Sequence, residues 1–181
     1  MASKDSQFRI AGFGRVVTGK TPPTEKTHLY GSCFPFITPT DIDAARFCQP
    51  ERRLSEQGAE NLKNLLLPIN SVCVTCIASV GKMCMTSEPS FTNQQINSII
   101  VDKKRHDPAF VYYMLQTQIE LLKAVAGGTA TPIINKTLFS RLPALAPSLP
   151  IQRKIAAILS AYDELIENNQ RRIALLEKMA E

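Results

Sequence analysis

From Leu149 to Glu181 the chain contains one proline, Pro150, and no glycine, and this run constrains the fold more than any other. Pro150 stands where a locked φ and a missing N–H are tolerated, in the first turn of a helix. Pro147 closes off what precedes it. Beyond Pro150, Ile155, Leu159, Tyr162, Ile166, Asn169, Ile173, Leu176 and Ala180 recur at alternating spacings of four and three. That is the seam of a coiled coil, or of a long helix docked on another. Two readings of the seam stand side by side. A helix lying along its own domain accounts for the first turns, where Ile151, Ile155 and Ile158 widen the apolar stripe. The last turns fit a rod that grips a partner: Asn169 interrupts the seam as a polar residue does where register must be specified. No C-cap glycine or closing proline appears before Glu181, so the natural helix is expected to continue.

Charge separates this helix from the rest. Residues 151–181 hold five cations and five anions, so the net charge of +5 resides in residues 1–150, with 16 cations against 11 anions. A basic head on a neutral rod suggests polyanion binding by the head and partner binding by the rod. The expected division is a head over residues 1–147 and the helix over 148–181. The head is long enough for one domain with its own core, and the 44% hydrophobic content supports that. No apolar run approaches the roughly 20 residues of a membrane span, and Met1–Ile10 holds no hydrophobic signal core. Five cysteines are an odd number and too few for a disulfide scaffold, which fits a reducing compartment. A soluble, cytoplasmic protein is expected, without a membrane contact. Asn135-Lys136-Thr137 matches a glycosylation sequon, which means nothing without secretion.

Along the head, Phe8–Val17 reads as a strand that runs into Thr18-Gly19-Lys20-Thr21-Pro22-Pro23. Gly14 and Gly19-Lys20-Thr21 match a phosphate-binding loop, yet that loop needs a helix to begin at its lysine, and Pro22-Pro23 forbids one. Phe34–Ile37 reads as a short strand before a polar turn, 43–53 as an irregular loop, and Leu54–Asn64 as a helix capped by Ser55. Ser71–Ser79 is a central strand, from which Gly81-Lys82 turns the chain back into Met83–Thr86. Cys73 and Cys76 form a CxxC, but three positions along a strand put the two sulfurs on opposite faces, and no second CxxC completes a metal site. Buried structural cysteine is the expectation.

Asn93-Gln94-Gln95-Ile96-Asn97 gathers four carboxamides, groups that read adenine edges and equally well tie turns, before a strand over Ser98–Val101. Lys103-Lys104-Arg105-His106 is a basic loop. Asp107 caps and Pro108 opens a helix to about Ala126, ended by Gly127-Gly128. Leu138–Leu145 reads as extended. His28 and His106 lie in loops without an identifiable acid partner and are expected to be exposed. No catalytic constellation and no metal site emerges, the Asn/Asp-Pro-Pro-aromatic motif of an amino-methyltransferase is absent, and no cofactor is expected.

Taken together, the residues resemble one half of the specificity (S) subunit of type I restriction-modification enzymes. The resemblance rests on Gly19–Pro22, Phe36-Ile37-Thr38-Pro39-Thr40-Asp41-Ile42, Ile77–Lys82, Asn93–Asn97, Gly128-Thr129-Ala130-Thr131-Pro132 and the run Leu145–Leu159, in that order over nearly the whole chain. It implies a mixed α/β target recognition domain followed by a long coiled-coil-type α-helix. Full subunits of this family have two such halves, which read the two parts of a split double-stranded DNA site. Their helices pack antiparallel as a spacer and dock the modification subunits, while methylation and cleavage are left to partner modification and restriction subunits. A single half is either a truncated piece or a half-subunit that self-associates through its helix, and self-pairing would make the site palindromic about a gap.

Under that resemblance, cations and carboxamides in predicted loops are the candidates for DNA contact: Lys20, Arg46, Arg52, Arg53, Lys82, Gln94, Gln95 and Lys104. The helix interface is expected at Ile155, Leu159, Tyr162, Ile166, Asn169, Ile173 and Leu176. Two rival readings remain, a protein-binding adaptor whose charge serves only solubility, and the disfavoured nucleotide-binding loop.

Overall fold

The structure, a computed structural model, describes residues 6–43, 45–127 and 131–180. Among the described residues, ten short strands and five α-helices follow one another. Strand β1 (Ser6–Arg9) leads through a 3-10 turn at Ile10–Phe13 into β2 (Gly14–Thr18). After it come β3 (Tyr30–Gly31), β4 (Phe34–Ile37), β5 (Arg53–Leu54), α1 (Glu56–Asn61), β6 (Val72–Thr75), β7 (Met83–Met85), β8 (Phe91–Thr92) and β9 (Ile96–Val101). Then follow α2 (Pro108–Gln116), α3 (Ile119–Ala126), α4 (Lys136–Arg141), β10 (Pro143–Ala146) and α5 (Leu149–Ala180). The mixed α/β head with a long C-terminal helix is the architecture expected from the sequence.

The principal sheet runs β2-β9-β6-β7, all antiparallel. It is buried on both faces. Val72 and Val74 of β6, with Ile99 of β9, pack against Phe110, Val111, Leu115, Leu122 and Phe139 of α2–α4. Cys73 and Ile96 turn the other way, to Ile37, Ile42, Cys48 and Leu67. Beyond that second face lies the sheet β3-β5-β4-β8, whose β4–β8 pair is parallel, with Phe36, Leu54 and Phe91 packed under α1. Burial on two sides is why β6 and β9 read as nearly continuous apolar runs.

Local signals placed several elements correctly. Ser55 caps α1 by accepting from the Gly58 amide at 3.1 Å, and Asp107 caps α2 by accepting from that of Phe110 at 3.0 Å. Cys73 and Cys76 do lie in different apolar clusters. Other expectations need correction. Phe8–Val17 is two strands, because Ile10 and Phe13 both enter the core through the intervening turn, where residues three apart share a face. The helix from Pro108 breaks at Thr117: its hydroxyl bonds the Met114 carbonyl at 2.7 Å and competes with the helical ladder. The 138–145 stretch is α4, capped by Asn135, and then β10. Helix α1 stops at Asn61, β6 ends at Thr75, β9 begins already at Ile96, and Arg53 belongs to a strand rather than a loop. Gly128 and Glu181, on which expected helix ends turned, lie outside the described residues.

Helix α5 stands on the head by a polar foot. Gln152 is 1% exposed. Its Oε1 accepts from the Asp107 amide at 3.0 Å, while its Nε2 donates to the Pro147 carbonyl at 2.8 Å and faces His106 Nδ1 at 3.3 Å. Ala156 is buried beside it, and two turns further Tyr113 Oη donates to Asp163 Oδ2 at 2.6 Å. The docked residues are therefore 152, 156 and 163, not the isoleucine row: Ile151 and Ile158 are exposed, and only Ile155 is partly covered. His106 is not exposed as expected but buried, ringed by Phe8 and Phe13 at 5.4 and 4.9 Å between centroids.

Two outcomes follow for this foot. Replacing Gln152 by Leu strips the Asp107 amide and the Pro147 carbonyl of buried partners, and should cost roughly 1–3 kcal/mol in urea unfolding. Burial first, then the Arg105 charge, pushes the His106 pKa below its ordinary value. As pH falls through about 6.5 the unfolded chain takes up a proton there that the folded chain still refuses, so stability should decline with acidification in that window. In His106→Gln the decline between about pH 6.5 and 5 should be smaller, measured by denaturation at stepped pH.

Candidate nucleic-acid interface

Four loops separated widely in sequence meet at one end of the principal sheet, where β2 and β6 finish and β7 and β9 begin. The 19–23 loop lies on the 92–96 turn: Gly19 and Lys20 amides donate to the Ile96 and Thr92 carbonyls at 3.2 and 2.9 Å. A Cβ at Gly19 would fall 2.2 Å from the Thr92 carbonyl oxygen, so only glycine permits this approach. The turn before β7 joins them, since the Cys76 amide donates to the Gln95 carbonyl at 2.7 Å. The segment at 131–134 closes the group through Ala78 N–H to Pro132 O at 3.1 Å and Ile134 N–H to Cys76 O at 2.8 Å. Even the Phe36–Ile42 stretch touches it, because the Asn93 amide donates to the Ile37 carbonyl at 3.1 Å.

Asn97, one of the four carboxamides of the 93–97 cluster, is a button whose partners sequence reasoning did not find. Buried at the start of β9, it accepts from Thr18 Oγ1 at 2.6 Å and donates to the Ile134 carbonyl at 3.2 Å, fastening three segments at once. Thr75, also buried, receives the Lys82 amide at 3.0 Å and donates to the Ser79 carbonyl, which shapes the turn carrying Lys82. The roles of both polar residues were hidden because their partners are distant in sequence or on the backbone.

The candidate DNA contacts fall into separate places. Lys20, Lys82, Gln94 and Gln95 share the loop end. Lys20, Lys82 and Gln94 are exposed, and the two lysines form no ion pair among the described residues. Gln94 accepts from Thr21 Oγ1 at 2.7 Å; Gln95 is half-buried and takes Asn93 Nδ2–H at 3.0 Å. Arg52 is exposed beside the Tyr30 ring, whose hydroxyl ties back to the Pro22 carbonyl at 2.8 Å, so this residue adjoins the 19–23 loop. Arg53 is occupied instead, bonding the Ser32 and Cys33 carbonyls and clamping Glu88 at 3.0 Å. Arg46 is likewise occupied at the foot of α5: it donates to Tyr113 Oη at 3.2 Å and lies 3.9 Å from Glu164. Lys104 sits in the turn after β9, at the opposite end of that strand. Six residues at about 3.3 Å rise place this turn at least roughly 20 Å from Gln95.

Lys20 opens no helix; the chain stays irregular up to a 3-10 turn at Thr27–Leu29, which removes the geometry a phosphate-binding loop requires. Among the described residues no group of three histidine, cysteine, aspartate or glutamate side chains could hold a metal. Burial pushes the Cys76 thiol up to about 11, the value of an inert structural cysteine. On α5, the residues of the expected seam from Leu159 to Leu176 are exposed, Tyr162 at 62% and Leu176 at 64%.

Residues 4–178 match the family model described as Type I restriction modification DNA specificity domain. Over 170 residues the chain is 38% identical to the HindI type I restriction enzyme specificity subunit of Haemophilus influenzae, covering 89% of this chain and 37% of that protein. It is 30% identical over 177 residues to the MjaIX specificity subunit of Methanocaldococcus jannaschii, covering 95% and 41%. The chain thus spans about two fifths of the length of these curated relatives. Among solved structures, the S subunit of the Type-I restriction-modification system of M. genitalium superposes with a TM-score of 0.73 at 20% identity, covering 97% of this chain and 43% of that one. The HsdS subunit of Thermoanaerobacter tengcongensis does so with 0.69 at 14% identity, covering 95% and 40%. At such identity the likeness is one of fold.

Exchanging Asn97 for Leu should leave the Ile134 carbonyl and the Thr18 hydroxyl unpaired and cost about 1–3 kcal/mol. Amide hydrogen exchange should quicken in residues 18–21 and 132–135 while α2 keeps its protection. Uniform quickening across the head would contradict the local role given to Asn97.

Proposed function

Since the chain belongs to the type I restriction modification DNA specificity family, we propose that it reads one part of a double-stranded DNA site and delivers it to partner subunits. The head supplies recognition, and α5 serves as the spacer and grip for modification and restriction subunits or for a second helix of its own kind. Methyl transfer and cleavage belong to those partners; this chain carries no catalytic role and requires no cofactor. A cytoplasmic location goes with that work.

The observation that carries the reading is the loop end of the principal sheet. Lys20 and Lys82 stand there without carboxylate partners among the described residues. With Arg52 they are suited to phosphate contacts that set register, while Gln94 and Gln95 present carboxamides that both donate and accept, suited to base edges. Arg46 and Arg53 serve as internal braces in this account, and Lys104, at the far end of β9, lies outside the contact set. Helix α5 departs from that same far end, because Gln152 is bonded to the Asp107 amide just beyond the 102–106 turn. Reading surface and rod are therefore kept apart by the length of β9. Along the rod, Leu159, Tyr162, Ile166, Asn169, Ile173 and Leu176 form the gripping seam, which starts from Ile155, itself partly covered by the head, and runs roughly 100° around the helix from the docked Gln152 and Ala156.

Binding to random-sequence duplex DNA should weaken steeply as salt rises, for each phosphate contact releases counterions. Lys20→Gln and Lys82→Gln should each flatten the slope of log K against log salt by about 0.9. Lys63→Gln, which removes a lysine already paired with Glu60, should leave it unchanged. Indifference to DNA at low salt, as an adaptor would show, would sink the proposal.

A further inference from the structure

Three cysteines take no part in the reading surface or the rod. Cys73 and Cys84 face each other across β6 and β7. Cys48 arrives from the loop before β5: the Met85 amide donates to the Arg46 carbonyl at 2.7 Å and Phe47 bridges Met85, which lays residues 46–48 along β7. Cys48 and Cys84 each adjoin that bridge, so their side chains turn to the same side. Their Sγ atoms are 3.1 Å apart. All three thiols are buried in one apolar cluster with Ile37, Ile42 and Leu67.

Cys48 is at the rim of that cluster. It lines two surface clefts, one with Pro35, Arg53 and Glu88 and the other with Thr40, Asp43 and Glu51. A small solute in either cleft meets Cys48 first, with Cys84 directly behind it. Hydrogen bonding to Cys48, then to Cys73, holds the Cys84 pKa well above the ordinary thiol value, so Cys84 retains its proton.

We propose that Cys48 and Cys84 form an oxidisable dithiol site, whose co-substrate is a hydroperoxide and whose product is a disulfide stapling residues 46–48 to β7. In the first step the Cys48 sulfur attacks the terminal peroxide oxygen; an S–O bond forms, the O–O bond breaks, and the departing oxygen takes the thiol proton and leaves as water from hydrogen peroxide or as the alcohol from an organic hydroperoxide. In the second, the Cys84 sulfur attacks the Cys48 sulfenic acid; the S–S bond forms and hydroxide leaves as water with the Cys84 proton. Two thiols lose two electrons and one peroxide gains them. The sulfurs need only close from 3.1 Å to about 2.05 Å, within a segment outside regular structure. The stapled strip contains Arg46, which touches Tyr113 and lies near Glu164 on α5, so the bond fixes the brace between head and rod.

The test uses the full chain carrying Cys33→Ser, which removes the exposed thiol. After hydrogen peroxide treatment, unfolding and alkylation, the count of free thiols should fall from four to two. A tryptic map should join Phe47–Arg52 to Met83–Lys103, and dithiothreitol should reverse both results. A further Cys73→Ser change should leave that cross-link intact, whereas Cys48→Ser should abolish it; should either variant misfold, the map of the parent chain decides alone. Four thiols persisting, a link from the Cys73 peptide instead, or Cys48 trapped as a sulfinic acid without a link would each overturn the proposal.

Discussion

Strand β9 is hydrogen-bonded along both edges, to β2 and to β6, and covered on both faces. A strand held in that way can neither slip nor tilt, because a one-residue shift would turn its apolar side chains to the wrong layers. Its two ends therefore keep a fixed separation. At the Ile96 end gather the loops with Lys20, Lys82 and Gln94; at the Val101 end the chain turns through His106 to the cap of α2, onto which α5 is fastened. The proposed separation of reading from gripping depends on this one element.

The fastening of α5 is polar, and that has a physical consequence. A helix docked by an apolar stripe could rotate or slide among similar packings. A buried carboxamide that must satisfy the Asp107 amide and the Pro147 carbonyl together permits one register, since any slip strands both groups in a low-dielectric interior. Asp163 on Tyr113, with Arg46 bracing the same hydroxyl, adds a second point of fixation a few turns on. From Asn168 to Ala180 the helix is exposed all round, a stretch of about 20 Å. The head thereby leaves the apolar face from Leu159 onward uncovered, while the polar face does the holding.

Much of this was legible in the sequence wherever the deciding contact was local. The caps at Ser55 and Asp107, the strands 72–75 and 83–85, and the long helix after Pro150 all announce themselves within a few residues. The resemblance motifs could be read as separate loops, yet their meeting depends on bonds such as Ala78 to Pro132, across more than fifty residues. His106 looked like a solvated loop residue because its partner Gln152 lies 46 positions away. The docking face of α5 escaped for a different reason: periodicity rules search for apolar rows, and this row is glutamine, alanine and aspartate. Helix α4 was missed because six residues leave too little period to detect.

Hydrogen-exchange footprinting with a duplex DNA at low salt addresses the central claim most directly. If reading is confined to the loop end, protection on adding DNA will appear in residues 19–23, 77–82 and 93–95, and exchange along 168–180 will not change. Protection centred on the 102–105 turn or on the exposed helix, with those loops unaffected, would place the reading surface at the wrong end of β9 and contradict the account.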